Sequence, residues 1–172
     1  MNIKRIAIIS MMLALAIVLN VLESFIPLFI PGFRLGFANM IILIMLYEFK
    51  FYEALSVQLL RIILVAILRG TLLSPVFFMS LTGGMLAYFG MLLFSRIKLF
   101  TPIGVSVVGA LLHSFGQIIV VMILINLDSV IYYFPFIAAL SLGSGILSGL
   151  IARLYLKRSI TYQFIDCKRY EE

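Results

Sequence analysis

An arginine in the middle of a run apolar enough to sit in a bilayer needs a chemical reason. The run is Gln58-Leu-Leu-Arg61-Ile-Ile-Leu-Val-Ala-Ile-Leu-Arg69-Gly70. A guanidinium at mid-membrane costs at least ~2.5–3.5 kcal/mol on insertion scales, so it calls for a partner, water or a ligand. At ~100° per residue, Gln58, Arg61, Val65 and Arg69 share one narrow stripe of a helix. Such a stripe is expected to wall a polar site inside a helix bundle. Arginine suits anions, because its planar fork donates two parallel hydrogen bonds to a carboxylate or phosphate.

Other polar residues fall in the middle and one end of the apolar segments. Glu23, Arg34 and Asn39 cluster around the first connection, and Asn126 and Asp128 around a later one. His113 and Gln117 are four apart, on one helical face with Ser106 and Gly109. Arg61, Arg69, His113, Gln117, Asn39 and Arg34 are therefore the candidate substrate-binding set. For Arg61 a buried ion pair with Glu23 or Asp128 is the competing reading, and Arg34 and Arg69 can also snorkel to water. His113 is the only histidine, with no second His or Cys near it, so no metal site is expected. No cofactor is expected either.

Composition places these residues in a membrane. The 172 residues are 64% hydrophobic and 12% charged, with a mean hydropathy of +1.22, whereas soluble domains run near ~25% charged. A spanning helix needs ~17–25 residues. Six segments are expected: Ile6–Phe25, Leu35–Tyr47, Phe51–Leu68, Ser74–Phe94, Pro102–Leu127 and Ile131–Leu156. The second is short, so it is thin, tilted or sunk behind its neighbours. The fold expected is all-α, one six-helix transmembrane domain over 1–156 and a short cytosolic tail over 157–172. Lys4-Arg5 before Ile6–Val21 resembles the start of a signal peptide. The apolar run is too long and lacks a small-residue cleavage site, so it reads as a retained helix.

Basic residues orient the bundle, since cytoplasmic loops hold their excess. Both termini inside places Lys4, Arg5, Lys50, Arg96, Lys98, Arg153 and the basic tail in the cytoplasm, leaving only Arg34 and Arg69 outside. The net charge of +6 is thus spread over short loops and is no nucleic-acid footprint. The expected location is the cytoplasmic membrane. Cys167, the single cysteine, permits no intrachain disulfide.

Small residues mark close helix contacts in lipid. Ser80, Gly83, Gly84 and Ala87 form one stripe, and Ser141, Ser144, Gly145, Ser148, Gly149 and Ala152 another. Ala7, Ser10 and Ala14 on the first helix are short and near the cytoplasmic surface, and are the candidate docking face for a separate membrane protein. Several activities lack their motifs: no phosphate loop ending in Lys-Ser/Thr, no Gly-x-Ser-x-Gly and no His-Glu-x-x-His. Magnesium-dependent chemistry on a diphosphate wants clustered carboxylates, but the two aspartates are Asp128 and Asp166. No enzyme is expected.

Three stretches together carry a resemblance: Pro31-Gly-Phe-Arg-Leu-Gly36-Phe-Ala-Asn39, Arg61 with Arg69-Gly70, and His113-Ser-Phe-Gly-Gln117. They resemble a bacterial membrane family known both as the Gx transporter family and as heptaprenyl diphosphate synthase component I. The resemblance runs from Lys4 to Leu156. That family looks related to the substrate-binding S components of energy-coupling factor transporters. The resemblance implies six helices, an outward-opening ligand pocket, and docking through the first helix onto a transmembrane coupling protein with ATPase subunits. Here Ser10-x-x-x-Ala14 stands where Ala-x-x-x-Ala is usual. The synthase name implies instead a non-catalytic partner of a soluble prenyl synthase subunit, because no aspartate-rich motif is present.

Three functions follow as expectations. The first is an importer subunit capturing a small anionic or amphipathic metabolite from outside. The second is an accessory membrane component of heptaprenyl diphosphate and menaquinone synthesis, in contact with membrane lipid. The third is a proton-coupled carrier using His113 and Glu23.

Overall fold

Helices follow wherever the apolar runs lie. The computed structural model describes residues 3–23, 25, 36–97, 99–125 and 128–158. They form α1 (Ile3–Glu23), α2 (Asn39–Glu48), α3 (Phe51–Leu68), α4 (Pro75–Ser95), α5 (Pro102–Ile125), a 3₁₀ helix (Asp128–Tyr133) and α6 (Phe134–Arg158). No strand occurs among the described residues. Of the tail expected at 157–172, only Lys157 and Arg158 are among the described residues, and they close α6.

Among the described residues five helices, α1, α3, α4, α5 and α6, are long and apolar enough to cross a membrane. They mark the chain as a membrane protein, with Ile8, Met11, Leu15 and Val18 of α1 and Leu150 and Leu154 of α6 turned outward. The expected second span is different. Its helix has 10 residues, about 15 Å at ~1.5 Å per residue, half of a ~30 Å hydrocarbon layer. Gly36 opens its approach with φ +88°, a left-handed turn that cannot continue a helix from Leu35. The sixth segment also divides, a 3₁₀ turn preceding α6, with Pro135 in the first turn of α6 where its missing N–H is harmless.

The short α2 is the centre of the bundle. It touches α1, α3, α4, α5 and α6, and Ile41, Ile42, Leu43, Ile44 and Met45 are all buried. A helix apolar on every side belongs inside other helices, and this one lies inside five. The others follow one another around it, α1 on α3, α3 on α4, α4 on α5 and α5 on α6. Among the described residues α1 and α6 do not touch, so the ring is open there.

One ion pair ties α1 to α3 beside the end of α2. Arg5 at the start of α1 donates to Glu53 at the start of α3 (Nη2 to Oε2, 2.7 Å). The Arg5 guanidinium lies over the ring of Phe49, just past the end of α2 (5.8 Å). Glu53 also accepts from the Lys50 N–H at 3.0 Å, capping α3. So α2 ends at the face where α1 and α3 begin, and its own start is held in the interior.

Two of the small-residue stripes are packing surfaces. On α4, Gly83 faces Gly116 of α5 so closely that a Cβ on Gly116 would fall 2.8 Å from the Gly83 Cα. On α6, Ser148 bonds Ser106 of α5 at 3.0 Å, and Ser141 bonds Ser114. Ala7, Ser10 and Ala14 differ from both, being exposed on the outer side of α1.

Candidate functional site

The polar residues converge on the start of α2. Past Gly36 the chain makes one turn, Asn39 N–H donating to the Gly36 carbonyl (2.9 Å) and Met40 N–H to that of Phe37 (3.0 Å). The N–H groups of Gly36 and Phe37 stand just ahead of α2. Both donate to Oε1 of Glu23, the last residue of α1. A carboxylate at the positive end of a helix is well placed electrostatically, and here it is buried. Glu23→Ala is therefore expected to cost ~1–3 kcal/mol, the penalty for stranding buried donors. Glu23→Gln keeps an acceptor oxygen and should lose less. Denaturant unfolding in detergent checks the order of the two.

Arg61 reaches the same point from the middle of α3. It is 2% exposed, and its Nη2 donates to Oδ1 of Asn39 at 3.1 Å. The stripe that carries it is buried at Gln58, Arg61 and Val65, but not to its end. Arg69 caps α3 and is exposed, ~12 Å further along the axis. Arg34 lies outside the described residues, as do Asn126 and the rest of the Pro31–Leu35 stretch.

His113 and Gln117 supply the third side. Both are buried on α5, and the Gln117 amide is paired with the Nε2 side of the imidazole. The ring approaches Gly36 so closely that a Cβ there would sit 3.3 Å from His113 Cδ2 and 3.0 Å from Asn39 Nδ2. Across from it, Gly83 of α4 lies against the His113 carbonyl, Cβ position to oxygen 2.6 Å. Two glycines thus admit the imidazole between α2 and α4.

Of the six residues expected to bind substrate, Asn39, Arg61, His113 and Gln117 form one buried cluster. Arg69 stands apart from it. Pattern reading undervalued Gly36 and Gly83, which have no side chain to attract notice. A glycine three residues before a helix-opening Asn was the available signal for Gly36. A shallow recess lies between α3 and α4 toward the Arg69 end. Ile62, Val65, Ala66, Thr71, Phe77 and Ser80 line it.

The cluster brings one guanidinium, an imidazole and two amides together beside the buried Glu23 carboxylate. No three His, Cys, Asp or Glu residues gather to hold a metal ion among the described residues. A family model described as heptaprenyl diphosphate synthase component I matches residues 12–155. No curated protein and no solved structure matches the chain.

Proposed function

The chain belongs to the heptaprenyl diphosphate synthase component I family, and from that membership we propose that it is a non-catalytic, membrane-embedded binding component for a prenyl diphosphate. The observation that carries this reading is the Arg61 guanidinium, 2% exposed inside an apolar bundle and grouped with Asn39, His113 and Gln117. Its charge suits a guest with an anionic head, and the surrounding apolar bundle suits a hydrocarbon body. Arg61 holds the head, and Asn39, His113 and Gln117 orient it. The chain lies in the cytoplasmic membrane with both termini inside. It presents the lipid to a soluble prenyl synthase subunit that performs the chemistry.

A second reading, capture of an anionic metabolite for an ATP-driven importer, is favoured by one observation. Ala7, Ser10 and Ala14 form an exposed small-residue face on α1 that the bundle does not cover.

Gentle purification followed by mass spectrometry of the bound small molecule decides between the two. A prenyl diphosphate in the wild type, lost in Arg61→Ala, together with co-purification of a synthase subunit, is the expected result. A small water-soluble metabolite supports the importer. Equal ligand content in wild type and Arg61→Ala would falsify the site.

A further inference from the structure

We propose that Gln58 is a further ligand-contacting residue and that it selects a guest whose head carries two linked polar groups, as a diphosphate does. The proposal rests on the reading that Arg61 holds an anionic head, but a separate observation motivates it. The Gln58 side chain is 0% exposed. Among the described residues neither its Nε2 nor its Oε1 has a hydrogen-bond partner. Burying an amide with both halves unpaired is costly, and native interiors keep few such groups.

Its position suits a ligand. Gln58 precedes Arg61 by three residues, ~4.5 Å along α3 and on the same side of the helix. Its amide lies against Gly84 of α4, where a Cβ would fall 2.5 Å from Nε2 and 3.0 Å from Ile62 Cδ1. Ile62 also lines the recess between α3 and α4, so the amide sits one side chain beneath that opening. A guest displacing Ile62 meets both groups on adjoining turns. One phosphate engages the guanidinium, and an oxygen of the next accepts from the amide NH2. A monophosphate reaches only the first.

The test titrates wild type, Gln58→Leu and Gln58→Met in lipid nanodiscs with farnesyl diphosphate and farnesyl monophosphate. Wild type is expected to prefer the diphosphate, and each variant to lose about tenfold on the diphosphate and little on the monophosphate. Both variants should melt at or above the wild-type temperature, since an unpaired buried amide has been removed. Gly84→Ala crowds the amide without removing it and should reproduce the loss. If the Gln58 variants do not fold, this titration decides alone. Diphosphate binding as tight as wild type in the variants overturns the assignment, leaving the amide to a buried water. If wild type binds neither compound and Arg61→Met behaves identically, the parent reading has failed and takes this one with it.

Discussion

Arg61→Met is expected to weaken binding of a prenyl diphosphate by ~30-fold to ~3,000-fold while the bundle stays folded. Truncating one partner of a buried charged hydrogen bond costs ~2–5 kcal/mol, and each ~1.4 kcal/mol is tenfold in affinity. Stability responds differently, because two effects oppose each other. Removing the guanidinium relieves the desolvation of a charge, and methionine of similar length fills the space. Against that, Asn39 Oδ1 loses the donor now 3.1 Å away, worth ~1–3 kcal/mol if nothing replaces it. The net change in unfolding free energy should be small beside the loss in affinity. Arg61→Lys separates charge from geometry. It retains the positive charge but not the fork, so an intermediate affinity is expected. Titration calorimetry in nanodiscs with matched thermal melts measures both quantities. Full affinity in Arg61→Met would remove the oxyanion site.

Gly83→Val is expected to produce the largest loss of stability, ~3 kcal/mol or more, since overpacking of this kind exceeds what rotamer shifts absorb. A Cβ at Gly83 would lie 2.6 Å from the His113 carbonyl oxygen and 3.1 Å from both His113 Nδ1 and Gln117 Cγ. The closest of these is backbone, so no side chain can swing aside. The two helices must separate, and Gly116, which meets the Gly83 backbone, loses its contact as well. The imidazole then moves away from Gly36, so binding should fall together with stability. Gly143 of α6 is the control, because a Cβ there meets nothing within 4 Å. Gly143→Ala should be neutral or stabilising by ~0.5–1 kcal/mol, the usual helix-interior difference. Thermal unfolding of the two variants side by side is the measurement. Similar melting temperatures would mean that α4 and α5 are not held at the distance described.

Much of the frame was legible before any coordinates. Hydropathy is a local property, so the long apolar runs appeared as helices with ends close to those expected. The predicted range Phe51–Leu68 is the observed α3. The need to shelter Arg61, Gln117 and His113 was equally visible, since a polar residue inside an apolar run must face inward whatever the topology. Less legible were their neighbours. Gln58 was on the predicted stripe, but nothing local revealed that its amide lies against Gly84 with neither end paired.

By itself, then, the sequence determined that this is a helical membrane protein of the component I family carrying a buried cation among amides. Tertiary structure alone decided that the second helix is half-length and central, that its buried start joins Glu23, Arg61 and His113, and that Arg69 stays at the rim. The reason is physical. Period and hydropathy state which face of a helix avoids lipid, whereas depth, neighbour and distance depend on how closely other helices approach. At Gly36 and Gly83 that approach is set by side chains that are not there.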